Sequence, residues 1–448
     1  LHTFKQIRTL KPLALFLWLL PLWLFTACDL QVVGTSGAVS PPDKKVYLYK
    51  SDDTFVLYKD NQSFRIHGAS GDPRYIRQLA EAGGNCLRVY DTLGLAQVLD
   101  TAYRYGIAII ADLPLPKSQH LSFYRDQQQV KAQFHAYRDF VRRHKDHPAL
   151  LMWMLGNELD FPYKPNYTPF YRAYNDLLAM IHQVDGQHPV ATALTNFQRR
   201  TITNIRLKIP DLDLLGINTF GLLKDLEQDM ADFAWMWDGP YFVSEWNING
   251  YWEVPMTAWG APIEDAGWKK GEELVERFYQ EMPYHDPRFL GSCLFYWGHK
   301  QERTETWFNT FTYDGIPTAL YEAYEQLNDC SLSYPTAPEL KYMLLDSAGS
   351  SDHIMLHPGQ LYTAHLVFDD PPDSTLQTRW RLLDEDWYSL ELDTVVPVFQ
   401  YDHLLDTAGT KMVRFRAPAH EGPYRLYATL HYPGSIATAV NTPFYVIE

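Results

Sequence analysis

Cysteine is scarce, with four in 448 residues. Cys86, Cys293 and Cys330 form an odd set at irregular spacing, which excludes a disulfide framework and a zinc site. Cys86 and Cys293 fall inside apolar, strand-like runs and read as buried thiols. His144 and His147 lack further ligands around them, so no metal is expected there. Positive charge is also short: 39 Lys and Arg stand against 54 Asp and Glu, a net charge of −15. Nothing in that balance would neutralise phosphates, so nucleic acid is excluded as the main partner. Beyond the N-terminal segment no apolar run is long enough to span a bilayer. Ser244 lacks a glycine-flanked nucleophile elbow and no Ser-His-Asp order is present, which argues against a serine hydrolase. There is no internal repeat and no low-complexity tract.

Two features are abundant instead. Lys5, Arg8 and Lys11 precede an apolar run from Leu13 to Phe25, followed by the small residues Thr26 and Ala27. That is the pattern of a signal peptide over 1–28. Phe25-Thr26-Ala27-Cys28 resembles a bacterial lipobox. The resemblance implies a lipidated Cys28, a lipid anchor in the membrane, and a place in the cell envelope facing the periplasm or the surface. A plain secretory signal and an anchor helix are the alternatives. Residues 29–45, rich in Gly, Ser and Pro, read as a linker. Aromatics reach 15%, with 13 Trp and 30 Tyr. Flat rings suit sugar faces, although a large core also uses many of them.

From Val46 the chain reads as a hairpin, with Phe55–Tyr58 and Phe64–His67 flanking a turn over Lys59–Ser63. Short apolar runs then alternate with amphipathic stretches. The runs are Arg65–Gly68, Asn85–Tyr90, Ile107–Asp112, Leu150–Leu155, Val190–Leu194, Leu212–Ile217, Tyr241–Val243 and Gly291–Trp297. Helices are expected over Leu95–Tyr105, Gln127–Arg143, Pro169–Val184 and Thr318–Leu327. Continuous apolar strands belong to a parallel sheet covered on its outer face, and eight of them predict a (β/α)8 TIM barrel over 46–332. After Asp329 the pattern changes. Segments such as Leu361–Phe368, Thr378–Leu383, Lys411–Arg416, Tyr424–His431 and Thr442–Ile447 predict a C-terminal antiparallel β-sandwich, Ig-like, over 335–448. Its role is either structural or glycan-binding.

Two glutamates end apolar strands: Glu158 after Trp153-Met154-Leu155-Gly156-Asn157, and Glu245 in Ser244-Glu245-Trp246. A carboxylate ending a buried strand is costly unless its charge is used. In a barrel both would reach the same C-terminal rim, giving the carboxylate pair that cleaves a glycosidic bond. With Arg88 in Leu87-Arg88-Val89-Tyr90 and Trp297 in Phe295-Tyr296-Trp297-Gly298, the set resembles the retaining glycoside hydrolases of clan A, in particular the family 2 type of (β/α)8 catalytic domain. Leu87-Arg88-Val89-Tyr90-Asp91 also resembles β-1,3-glucanosyltransferases of that clan.

The resemblance implies roles. Glu245 would be the nucleophile and Glu158 the acid and base, starting protonated beside the charge of Glu245. Arg88 would keep Glu245 ionised, Asn157 would bond the sugar 2-hydroxyl, and Trp297 would floor the subsite. Asn218, ending the sixth strand, is either a site residue or a turn residue. Tyr90, Asp112, Trp246, Trp252 and Trp307 are rim candidates. The structural alternatives are ion pairs for both glutamates, a barrel salt bridge for Arg88 and core packing for Trp297. Phe220 stands where many clan members place a tyrosine, so another residue must orient Glu245. The expected activity is hydrolysis of a β-linked glucan or related polysaccharide with retention. Transglycosylation by the same residues and a non-catalytic glycan-binding lipoprotein are the alternatives. No cofactor is required. An anionic substrate would need rim cations, for which Lys300 and Arg303 are placed.

Overall fold

The computed structural model describes residues 44–328, 338, 340–385 and 398–448. Cys28, the signal segment, most of the linker and Cys330 lie outside the described residues. The described residues belong to one compact unit.

Eight parallel strands close into a barrel. They are β1 (Ile66–Gly71), β2 (Cys86–Val89), β3 (Ala108–Leu113), β4 (Leu150–Asn157), β5 (Val190–Thr195), β6 (Leu214–Asn218), β7 (Tyr241–Trp246) and β8 (Phe289–Trp297). Each pairs with the next, and β8 pairs with β1 through Cys293 opposite Gly68. The strands are buried on both faces, which is why they read as unbroken apolar runs. Cys86, Ile110, Met152, Met154, Ala193, Leu214, Phe242 and Cys293 pack in the interior. Cys86 and Cys293 are buried free thiols, as expected. Alternate residues such as Leu87, Ile109, Trp153 and Val243 face the helices.

The helices follow local signals. Gln127–His144 starts where the Asp126 side chain accepts from the backbone N–H of Gln128 at 2.9 Å, and it ends with Arg142, Arg143 and His144 against the negative end of its dipole. Thr168–Val184 and Ala319–Asn328 match their expected spans within a residue or so. The shorter Arg199–Lys208 and Leu223–Asp232 complete the cover between β5, β6 and β7. Among the described residues no helix is long and apolar enough to cross a membrane.

The N-terminal hairpin differs from expectation. Thr54–Lys59 pairs with Val46–Ser51, turning at Asp52 and Asp53, and only Gln62–Ser63 folds back onto it. Ile66 onward is committed to the barrel, where both faces of that run find apolar cover. Val46, Leu57, Phe55 and Phe64 pack under the barrel interior. Phe55 N–H bonds the Pro287 carbonyl just before β8 at 2.8 Å, so the hairpin plugs the N-terminal end. The opposite end is left as the mouth.

The C-terminal region is two packed four-stranded sheets. One runs Leu340–Leu345, Leu361–Phe368, Met412–Arg416, Leu405–Ala408; the other Met355–Leu356, Thr438–Val446, Gly422–His431, Gln377–Asp384. Among the described residues all pairs are antiparallel except the short one of Met355–Leu356 with Tyr445–Val446. Leu340, Leu382, Val413, Phe415, Leu426 and Phe444 fill the space between the sheets. Leu340–Leu345 and Leu405–Ala408 add to the strands expected from sequence.

Closure depends on a close backbone approach at Gly291. Its φ is +122°, and an added Cβ would lie 1.9 Å from the Ile66 carbonyl oxygen. Gly291→Ala is therefore expected to cost more than about 3 kcal/mol, because backbone cannot retreat as a side chain can. Urea unfolding of the variant beside wild type measures this; equal midpoints would contradict the described closure.

Candidate active site

The last residues of β2, β3, β4, β6 and β7 converge on one buried guanidinium. Arg88 is fully buried. Its Nε and Nη2 donate to the two oxygens of Asp112 at 3.0 and 2.8 Å, a bidentate grip. Its Nη1 donates to Glu245 Oε1 at 2.9 Å, and Nη2 also to Asn157 Oδ1 at 2.7 Å. Tyr90 Oη donates to the same Glu245 oxygen at 2.9 Å.

Asn218 ties Glu158 into this cluster. Its Nδ2 donates to Glu158 Oε1 at 2.8 Å and to Asn157 Oδ1 at 3.2 Å. Its Oδ1 accepts from Ser244 Oγ at 2.7 Å and from Arg88 Nη1 at 3.3 Å. The amide orientation follows from these partners, since the reverse would turn its NH2 toward Arg88. Glu158 and Glu245 are thus joined by the path Asn218–Arg88. Asn157 uses its carbonyl oxygen inside the network, which leaves its Nδ2 donor for the cleft.

Strand irregularities aim these groups. On β7 Phe242 faces the barrel interior and Val243 the helices. The register against β6 then slips between Val243 and Glu245. Ser244 and Glu245 consequently both reach the network from inside the barrel. On β4 the register against β5 slips between Met154 and Asn157. Gly156 at φ +80° and Glu158 at φ +50° complete that bend, and Glu158 N–H bonds the Ala193 carbonyl at 2.9 Å. A left-handed glutamate costs about 1–2 kcal/mol, a strain often stored at functional sites. Lys117 Nζ secures the bend by donating to the Glu158 carbonyl at 3.0 Å.

The electrostatics are dominated by burial. Burial pushes the Glu245 carboxyl up, Arg88 and the Tyr90 hydrogen bond pull it down, and the charges of Glu158 and Glu302 push it up again, leaving it at about 7. Arg88 favours the ionised form of Glu245, as expected, and burial outweighs that pull. Burial raises Asp112 as well, against the pull of Arg88. Tyr90 is pushed well up by burial, which keeps it a donor. Tyr90 also supplies the orienting contact that Phe220 cannot.

Four expected placements change. Trp297 is not a subsite floor: it packs against Phe311, Tyr321 and Tyr324 on the helix side, and its Nε1 donates to the Tyr75 carbonyl at 3.0 Å. Between Phe295 and Trp297 the β8 strand carries one extra residue opposite Ser70–Gly71, which turns Trp297 outward. Phe295 takes the mouth position, with Tyr90, Phe220 and Phe308 rings 6.5, 5.9 and 5.4 Å from it. Trp246 is also turned outward, against Phe278. Trp307 is buried and donates to the Asn249 carbonyl, so it supports a loop instead of lining the rim. Asp112 lies beneath the site as the partner of Arg88.

Trp252 does reach the rim. It is 48% exposed and meets Phe220 edge-on at 5.3 Å. Lys300 Nζ stands 5.2 Å above the Phe295 ring and pairs with Glu302 at 2.8 Å. Arg303 stacks on Tyr251 at 5.5 Å. Sequence reasoning missed Phe295, Phe308, Ser244 and Glu302. The pair Trp307-Phe308 was a signal for the second of these; the strand slips that place Phe295 and Ser244 left no mark in residue type, and Glu302 sits on the loop after β8. Among the described residues no cluster of three or more His, Cys, Asp or Glu is placed to hold a metal.

Residues 84–249 match the model of the glycosyl hydrolases family 2 TIM barrel domain. That match makes the barrel similar to the catalytic domain of family 2 glycosyl hydrolases. The matched segment runs from β2 through β7 and so contains Arg88, Asp112, Asn157, Glu158, Asn218 and Glu245. β-Glucuronidases of Canis lupus familiaris and Felis catus are each 25% identical over 204 residues, which cover 45% of this chain and 27% of each of those proteins. The chain thus spans about a quarter of the length of the curated relatives it matches. A calcium binding mutant of Bacteroides uniformis beta-glucuronidase 2 superposes with TM-score 0.50 and 11% identity over 90% of this chain and 48% of that one. At that identity the likeness is one of fold.

The site makes a direct electrostatic prediction. The Glu245 carboxyl carbon, followed by NMR, is expected to titrate near pH 7. Tyr90→Phe removes a hydrogen bond to the carboxylate, so the midpoint should move up. A midpoint in the ordinary range near 4 to 5 would contradict the described burial.

Proposed function

We propose that the barrel is a retaining β-glycoside hydrolase in which Glu245 is the nucleophile and Glu158 the acid and base. The observation that carries the reading is that both carboxylates reach one mouth and share a hydrogen-bonded path through Asn218 and Arg88. Glu245, oriented by Arg88 and Tyr90, attacks the anomeric carbon. Glu158 protonates the leaving oxygen, then takes a proton from the incoming water. Asn157 Nδ2 is positioned to donate to the sugar 2-hydroxyl. The ring cluster of Phe295, Phe220, Phe308 and Trp252 supplies an apolar wall for a sugar face.

The substrate we propose is a β-linked glucan or related polysaccharide, presented to an envelope-tethered enzyme anchored through Cys28. A uronide is the second reading. Lys300 beside Phe295 would meet a sugar carboxylate there, and the mammalian proteins that match part of the barrel are named β-glucuronidases. A panel of β-glucan oligosaccharides, aryl β-glucosides and aryl β-glucuronides separates the two. Lys300→Ala should spare glucosides under the first reading and lower uronide kcat/KM at least tenfold under the second.

Glu245→Gln should lower kcat by about a thousandfold or more on every substrate, since no covalent intermediate can form. Glu158→Gln should impair unactivated glycosides far more than nitrophenyl ones, whose leaving group needs no proton. In wild type kcat/KM should rise with pH through about 7, because the nucleophile must be ionised. Full turnover by Glu245→Gln would contradict the assignment.

A further inference from the structure

We propose that Arg381, on the C-terminal sandwich, is a positioning residue for the reaction in the barrel, acting through the loop that follows β8. The inference rests on the glycosidase reading and assigns the sandwich a part in it.

That loop carries three groups to the mouth. Lys300 stands over Phe295, Glu302 pairs with Lys300, and the Phe308 ring packs on Phe295 and on Phe220 at 5.1 Å. Its shape is held from within by Asn309. The Asn309 Oδ1 accepts from Lys300 N–H at 2.8 Å, and its Nδ2 donates to the carbonyls of Lys300 at 3.0 Å and Glu305 at 2.7 Å. One side chain thus couples residue 300 to residue 305.

Glu305 is where the sandwich takes hold. Arg381, in the strand Gln377–Asp384, donates through Nη1 to Glu305 Oε2, and each side chain is only 9% exposed. The pair borders a cavity of about 90 Å3, lined also by His299, Asn309, Arg379 and Thr429. Around the same cavity Arg379 pairs with Asp314, and Ala437 N–H bonds the Pro317 carbonyl at 2.7 Å. Asn441 forms a second pin nearby, donating to Thr306 Oγ1 at 3.2 Å and to Glu264 Oε2 at 2.7 Å. This second pin lets the fold persist when the first is removed.

The consequence is electrostatic as well as steric. Removing Arg381 takes the hydrogen-bonded cation from the buried Glu305 carboxylate, leaves Arg379 to favour its charge from farther off, and loosens the segment that Arg381 held. Asn309 then no longer couples Lys300 to Glu305, and Glu302 moves away from the mouth. Glu302 is one of the charges that face Glu245 and disfavour its ionisation; Glu158 is the other, while Arg88 and Tyr90 favour it. Loss of Glu302 from the rim should therefore make Glu245 easier to ionise.

The test uses the full chain. Wild type, Arg381→Ala, Arg381→Lys and Glu305→Gln are compared on the glycoside that wild type cleaves best. kcat and KM are measured across pH, with circular dichroism to verify folding. Arg381→Ala is expected to lower kcat/KM at least tenfold and to move the acid limb of the kcat/KM profile to lower pH. Arg381→Lys, which keeps the charge, should recover most of both. A folded Arg381→Ala with kcat/KM within twofold of wild type overturns the proposal. So does a loss of rate with an unmoved acid limb and no recovery by Lys, which is what simple destabilisation would give. Should Arg381→Ala not fold, Glu305→Gln decides: a tenfold loss with a shifted limb supports the proposal, and an unchanged profile overturns it. A wild type inactive on every glycoside contradicts the reading of the barrel itself, whereas an active wild type with an indifferent Arg381→Ala contradicts only this inference.

Discussion

One cation without water organises the mouth of the barrel. The Arg88 guanidinium is fully buried, and its donors are divided among Asp112, Glu245, Asn157 and Asn218. An isolated buried charge of that kind would cost several kcal/mol, so its partners are obligatory. At an effective dielectric near 20, each close carboxylate contributes about 4 kcal/mol of attraction. Asp112 neutralises most of the charge by its bidentate grip. Glu245 is left with a partial share, and burial then carries it to about 7. Two carboxylates, Asp112 and Glu245, thus share one guanidinium, and Glu158 joins them through Asn218.

The geometry that serves Arg88 is made by small departures from regular strands. β4, β7 and β8 each slip register at the C-terminal end. A slip of one residue changes which face a side chain takes. It brings Ser244 and Glu245 both inside, swings Glu158 toward Asn218, and sends Trp297 out among the helices. This is why the eight strands and the two glutamates were legible in the sequence while the aromatic floor was not. Unbroken apolar runs mark buried parallel strands whatever their register. Strict alternation along Phe295-Tyr296-Trp297 would put Phe295 and Trp297 on one face, and nothing in the residue types reveals the extra residue between them. Asp112 was legible as a carboxylate at a strand end, but its place under Arg88 requires β2 and β3 to be set side by side.

The C-terminal sandwich was legible as strands separated by Gly, Pro and Asp turns, and its contacts were not. Arg425 is fully buried and reaches across to the Pro262 carbonyl at 2.7 Å, while holding Glu385 and Asn441. Lys270 of the barrel pairs with Glu264, to which Asn441 donates. A long-range polar seam of this kind has no local sequence signature, because each member reads as an ordinary charged residue on its own strand or helix. It joins the sandwich to the segments around β8 and the helix Gly267–Glu281, and so to one side of the mouth. The aromatic excess divides in the same way: most rings are core, while Tyr90, Phe220, Trp252, Phe295 and Phe308 gather at the site.

The most direct measurement is the trapping of a glycosyl-enzyme with a 2-deoxy-2-fluoro glycoside bearing an activated leaving group, followed by peptide mass spectrometry. The account predicts a single sugar adduct on the carboxylate of Glu245, and release of product with its anomeric configuration kept. An adduct on another residue, or a product of inverted configuration, would contradict it.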